Sequence, residues 1–371
     1  MKGQAKYYLC CILVVSAIST STIKAQILYD SVAVQMIKVC VGHMYNMESE
    51  KAREEFSVIE HLYPGHPVIY LLKGFMTYWE NYPLIPGSPE CKVFEENLHL
   101  CSGLSIKKPY SENFEAESVL SNICARGMLL TFYADNDLTF NVIPLAAGTY
   151  KYLIRSFDLE SAFADFSFFT GLYNYYREAY PEIHPVYRAI ASVFPHGDMK
   201  KGLNELERSA RLSVFLKAES YGMLTWIYAG YENNFPKALS YSSALTALYP
   251  KNPMFKAYNI KNLLLLKEYD QAETIIEDSR KDIPSTFFDA QIMIFNGIIQ
   301  EKKYRNYPLA KQFYEEGIRA ISMFGDYGND YVGFAYLGLS RISGYRGDRA
   351  SEKVFRKKGL DLSAFKKIDF D

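Results

Sequence analysis

The sequence is poor in the residues from which many active sites are built. Its six cysteines and six histidines in 371 residues fall into no metal-ligand spacing. Neither a glycine-rich phosphate loop nor a nucleophile elbow occurs, so no metal site, no cofactor and no catalytic residue is expected. Charge of one sign is scarce too. The 41 Lys and Arg stand against 42 Asp and Glu, a formal charge of −1, and no basic block is long enough to meet a polyanion, which argues against nucleic acid as a partner. The one notable apolar run, Tyr7–Ile18, has twelve residues, whereas a membrane-spanning helix needs about 20. No run alternates with the period of a strand, and no long polar linker divides the chain. What is present is 49% hydrophobic and 15% aromatic residues, enough for a sizeable core.

Lys2 and Lys6 precede the apolar run, Ser and Thr residues follow it, and Ile23-Lys24-Ala25 stands before Gln26. This is the layout of a secretory signal peptide over residues 1–25, with cleavage expected between Ala25 and Gln26. Ile23 at the −3 position leaves an uncleaved anchor as the alternative. No Leu-x-x-Cys pattern closes the run, which argues against a lipid-anchored cysteine. Cleavage removes three lysines and leaves a formal charge near −4. The expected location is therefore the periplasm of a Gram-negative-type cell, with no membrane span retained.

Four cysteines remain, Cys40, Cys91, Cys101 and Cys124, and an exported protein can oxidise them. A helix over Pro89–Lys107 places Cys91 and Cys101 about 15 Å apart, too far for a bridge that needs Cα atoms within about 7 Å. Cys101 and Cys124 face one another across a hairpin turning at Pro109-Tyr110-Ser111 and form the candidate disulfide. Reduced, buried thiols are the alternative.

An alanine followed twelve residues later by a proline recurs as Ala52/Pro64, Ala238/Pro250 and Ala272/Pro284, and Ala238 and Ala272 are 34 residues apart. Phe56 and Ile276 follow their alanines by four. Looser units surround Ala310 with Tyr314, and Leu337-Gly338 with Ala350. A small residue lets two helices approach, the larger residue fills the gap, and proline ends the second helix. In these residues the chain resembles the tetratricopeptide repeat (TPR) family. The resemblance implies an all-α, right-handed α-solenoid of antiparallel helix hairpins. It covers a first unit within residues 26–67 and repeats with a capping helix over 215–371. Between them, residues 68–214 are read as variant hairpins of the same solenoid, with helical segments at Val68–Asn81, Pro89–Lys107, Phe114–Tyr133, Val142–Tyr176, Pro185–Phe194 and Met199–Leu212.

Candidate chemistry elsewhere has plainer readings. His61 and His66 flank a repeat turn, and His184 and His196 have no partnering acid. Asp326–Asp330 lacks the distal Glu of a calcium loop. The acidic clusters Glu48–Glu55 and Glu95-Glu96 sit at helix starts, where the helix dipole favours them. The late basic group from Arg356 to Lys367 fits a capping helix. Eight aromatics fall between Phe163 and Tyr180. Phe163, Phe166 and Phe169 share one helical face and read as core, while Tyr173 and Tyr176 have the better claim to an edge.

The TPR register places Val34, Ile37, Met44 and Tyr45, then Met223, Ile227 and Tyr231, then Ala257, Lys261 and Leu265, on the concave side. Peptide-carboxylate clamps of the family use Lys, Arg and Asn there, and only Lys261 fits. The concave side either receives an apolar partner or is filled by the protein's own helices. The expected function is non-catalytic protein or peptide binding, or scaffolding, through Tyr45, Tyr173, Tyr176, Met223, Ile227, Tyr231 and Lys261. The alternative is a glycan or lipid held by aromatic rings.

Overall fold

The computed structural model of the protein describes residues 26–106, 112–282, 285–368 and 370. The expected signal segment and the turn at Pro109-Tyr110-Ser111 lie outside them. The described residues are helical throughout, without a strand among them, and the helices pack in consecutive antiparallel pairs. The first pair is α1 (Ser31–Tyr45) with α2 (Ser49–Leu62), followed by α3 (Pro67–Glu80) with α4 (Pro89–Ile106) and α5 (Glu112–Asp135) with α6 (Thr139–Asp158). Then come α7 (Phe166–Ile183) with α8 (Met199–Leu212), and α9 (Lys217–Gly230) with α10 (Phe235–Leu248). The chain continues with α11 (Pro253–Leu265) and α12 (Tyr269–Asp282), α13 (Thr286–Lys302) and α14 (Tyr307–Ile321), and α15 (Asn329–Tyr345) and α16 (Arg349–Leu362). No helix among the described residues is long and apolar enough to cross a membrane.

Helix starts follow from local chemistry. Asp30, Asn252, Ser285, Asn306 and Asp348 accept hydrogen bonds from the first free N–H groups of α1, α11, α13, α14 and α16, and Pro67 and Pro253 fill first-turn positions that need no donor. Six pairs turn in one way. Met47, Asp137, Asn233, Lys267, Arg305 and Gly347 all take φ between 50° and 78°. The backbone closes around four of these turns through Glu48 N to His43 O, Leu138 N to Tyr133 O, Glu268 N to Leu263 O and Asp348 N to Ser343 O, at 2.8–3.0 Å, the left-handed helix-ending motif.

Ala52, Ala238, Ala272 and Ala310 are fully buried, each at the close approach of its hairpin. Phe56, Ile276 and Tyr314 fill the gap four residues on, each contributing about 1.5–3 kcal/mol by burial. In the Ala238 unit that position is Ser242, bonded by the Asn262 amide at 3.1 Å. The Tyr314 ring lies between Gly297 and Gly338, where an added Cβ would come within 2.6 and 2.3 Å of it.

The middle of the chain departs from expectation twice. The segment Val142–Tyr176 is two helices, because Asp165 is drawn into the core between them. Its carboxylate accepts the N–H groups of Val214, Phe215 and Leu216 at 2.8, 2.8 and 3.1 Å. Residues Pro185–Phe194 supply only a 3-10 turn, Pro185–Tyr187, and one α turn, Arg188–Ala191. Here α7 and α8 approach backbone to backbone: a Cβ on Gly202 would stand 2.7 Å from both Gly171 O and Tyr175 N.

The stack also meets itself. Asn252 donates to Tyr45 O at 2.8 Å, Lys251 N to Asn46 at 3.1 Å, and the Lys251 ammonium to Glu48 at 2.9 Å. The start of α11 is thereby sealed to the end of α1. Ile27 is fully buried, and Leu28 N donates to Glu117 at 2.8 Å. Glu117 lies in turn 2.6 Å from the buried His66 ring, tying the first residues to α3 and α5. At the other end, residues after α16 fold back as a strap. Ala364 N donates to Asp330 at 2.7 Å, and Phe365 seats on Trp226 and Tyr231 with centroids 4.8 and 5.3 Å apart.

Candidate functional site

The structure disperses the residues expected on a concave groove. Tyr45 and Ile227 have no exposed surface, and Lys261 retains 6%. Tyr45 belongs to the seam. Its hydroxyl reaches Phe215 O at 2.8 Å and also contacts Glu219. A phenol has one proton to give, so both contacts are satisfied when Glu219 is protonated and donates. Burial pushes Glu219 up to about 8 accordingly. Tyr173 donates to Pro195 O at 2.7 Å and packs on Phe157 of α6, apart from the others. Tyr176, Met223 and Tyr231 do come together: the Tyr176 hydroxyl lies 3.2 Å from Met223 Sδ, and the Tyr176 and Tyr231 rings are 5.3 Å apart. The Phe365 strap lies on that cluster, so this part of the inner face is filled by the chain itself. Of the aromatic group between 163 and 180, Phe166, Phe168, Phe169 and Tyr175 are core.

In the structure Cys40, Cys91, Cys101 and Cys124 are all buried with free thiols, the arrangement of the reduced alternative. Cys101 Sγ points at Ser121 O, 3.4 Å away, one turn before Cys124. Burial raises Cys40 and Cys101 to about 12, which leaves the thiolate needed for exchange scarce at neutral pH.

Open space lies instead at the seam. A cleft of about 720 Å³ is lined by Glu80, Tyr82 and Pro83 at the end of α3, by Lys251 and Pro253 at the start of α11, and by Phe287 and Asp289 of α13. The volume is that of a small-molecule site. Behind it stand more tyrosines. The Tyr82 ring packs on Tyr78, Phe287 and Tyr327 with centroids 5.8, 6.2 and 6.0 Å apart. Burial raises Tyr78, Tyr82 and Tyr331 well above the phenol range, with neighbouring tyrosines adding to it. Asn136 at the end of α5 donates to the Tyr327 hydroxyl at 3.1 Å, so the two halves of the stack touch around this interior.

Three charged groups titrate away from their usual ranges. Lys261 is lowered by burial against the pull of Asp330. Its ammonium lies 5.6 and 5.7 Å from the centroids of Trp226 and Tyr258. Asp330 is raised by burial against the opposing effects of Lys261 and the Ala364 N–H. Asp135 is an exposed residue, although the helices crowded around it raise its carboxyl to about 6. The Gln291 amide oxygen, beside Tyr331, is buried without a hydrogen-bond partner among the described residues.

A second hollow of about 290 Å³ is lined by Arg177, Glu178, Arg188 and His196, but its groups are spent on their own loop. Glu178 accepts Gly197 N at 2.9 Å, and Arg177 donates to Phe194 O at 3.1 Å.

Sequence reasoning reached Lys261 and missed Tyr78, Tyr82, Asp135, Tyr258 and Tyr327. One signal was available. Asp135 ends a helix, where the dipole favours a cation over an acid, so its charge has no purpose local to α5. Comparison with family models and with curated proteins finds no match.

Proposed function

We propose that the protein is an exported, non-catalytic binding protein: a right-handed TPR-like solenoid, periplasmic after signal cleavage, that holds a small ligand behind the seam cleft. The observation carrying this reading is the seam cleft itself, of small-molecule size and lined by Glu80, Tyr82, Lys251, Phe287 and Asp289. Lys261 is nearly buried, with its ammonium over the Trp226 and Tyr258 rings and the charge of Asp330 acting on it. Polar groups left without partners in a site are what a ligand satisfies. The peptide groove has less support, since the chain's own strap and seam cover the residues that would line it.

Native mass spectrometry of protein purified gently from the cell envelope tests the reading. A retained mass below about 1 kDa, released on unfolding, is expected on this account. A bare chain, together with no stabilisation by envelope extract, would overturn it.

A second reading has its own observation. Phe140, Ile143, Val186 and Val193 are 93, 64, 79 and 75% exposed, and the Tyr150–Phe194 contact at 5.0 Å joins their two segments. Apolar side chains exposed in this number favour a protein partner on the α6 side. Crosslinking with an Ile143→Asp variant tests that interaction separately.

A further inference from the structure

The residues lining the seam cleft narrow its ligand, on the reading just proposed that a small molecule is held there. Three of them, Tyr82, Phe287 and Phe324, are aromatic and contiguous. Phe287, 3% exposed, stands between the other two, with ring centroids 6.2 and 4.9 Å away and interplanar angles of 74° and 64°. Tyr82 is itself backed by Trp79, stacked on it at 5.7 Å and 30°. The rings therefore make a fixed, angular apolar wall and not a pair of parallel plates. The charges of the lining are already compensated. Arg53 holds Glu80 at 3.0 Å and Glu48 holds Lys251 at 2.9 Å, while Asp289 sits in the first turn of α13, where the helix dipole favours it. Polar groups of both kinds remain. The Ser285 hydroxyl accepts Phe288 N, which leaves the Thr286 and Phe287 N–H groups without an intrahelical acceptor. Thr286 adds an exposed hydroxyl. The acceptors are the exposed Asp289 carboxylate and the side-chain carbonyl of Asn81, whose amide N–H is engaged with Thr77 O at 2.8 Å.

A charged ligand would have to compete with ion pairs that are already made, and a wholly apolar one would cover donors and acceptors without satisfying them. A hydroxyl both donates and accepts, so a ring carrying several of them meets both kinds of group at once. The C–H face of such a ring suits the negative face of an aromatic side chain. A flat heterocycle would stack on one ring only, because the neighbouring rings stand nearly on edge to it. We propose that the seam cleft binds a neutral saccharide, seated against Tyr82, Phe287 and Phe324 with its hydroxyls on Asp289, Thr286 and Asn81.

Isothermal titration with maltose, cellobiose and lactose supplies neutral probes. Lactobionate serves as an anionic control, the glucosamine dimer as a cationic one, and caffeine as a flat neutral ring. At least one of the three disaccharides is expected to bind with a Kd below about 1 mM, at least tenfold more tightly than any control, and to shift the tryptophan fluorescence through Trp79 behind Tyr82. Phe324→Ala and Asp289→Ala are each expected to weaken that binding at least tenfold with the circular dichroism spectrum unchanged. Phe140→Ser on α6, outside the cleft, is expected to leave it within twofold. Equal binding of a control, or full disaccharide affinity in the folded Phe324→Ala and Asp289→Ala proteins, would overturn the saccharide assignment and leave the small-ligand reading standing. Binding of none of the disaccharides would overturn the assignment as well, and the mass measurement above then decides the broader reading by itself.

Discussion

Six of the eight helix pairs turn through one left-handed residue in a short turn, whereas α3/α4 uses a longer connection in which Gly87 takes φ 78° and α7/α8 has no left-handed residue. The regular pairs build the stack. The irregular ones shape what the stack encloses: the connection after α3 brings Tyr82 and Pro83 into the cleft, and the entry to α7 places Asp165 under the chain before α9. A repeating hairpin can be lengthened locally because each pair contacts mainly its neighbours, so departures from the period are where a site can be built at little cost to the array.

The comparison breaks most readily at Asp165. Replacing it with Ala leaves three buried N–H groups without an acceptor and should cost about 3 kcal/mol or more, read by urea unfolding. A cost below about 1 kcal/mol would mean the α7/α8 pair is held as the regular pairs are.

The seam between α1 and α9 should respond to pH. Glu219 is raised from 4.5 to about 8 in the folded protein, so the folded state keeps a proton that the unfolded chain has released. Its contribution is therefore greatest below about pH 4.5 and is lost as pH rises through about 8, by roughly 2–3 kcal/mol after allowing for partial exposure. Glu219→Gln should flatten that decline in a pH series of melting curves.

Within a regular pair, Tyr314→Phe keeps the ring between Gly297 and Gly338 and removes only the 2.7 Å bond to Glu301. The expected loss is about 1.5 kcal/mol, the scale of a hydrogen bond to a charged group. The smallest effect belongs to the turns. Lys267 carries a side chain at φ 64°, and Lys267→Gly should stabilise by about 0.5–1 kcal/mol if relief of the left-handed strain outweighs the added freedom of the unfolded chain. The same change at Arg305 should behave alike.

These turns also explain what could be read in advance. Alanine at the close approach and proline after the second helix leave a trace in residue type, so the units at Ala52, Ala238, Ala272 and Ala310 were legible. A left-handed turn made by Met, Asp, Asn, Lys, Arg or Gly leaves almost none, which is why the α5/α6 pair, turning at Asp137, did not show the period. The break at Asp165 depends on backbone donors some 50 residues away, and no local pattern encodes that. Lys261 was found because it occupies a repeat position. The rings packed on Tyr82 were not, because Tyr78, Phe287 and Tyr327 come from α3, α13 and the turn before α15 and meet only when the stack meets itself.

That meeting is the central claim, and small-angle X-ray scattering of the monomer tests it most directly. A stack sealed at Tyr45, Lys251 and Asn252 should give a radius of gyration near 20 Å, the compact value for a chain of this length, whereas about 26 Å or more would mean an open array and no enclosed site.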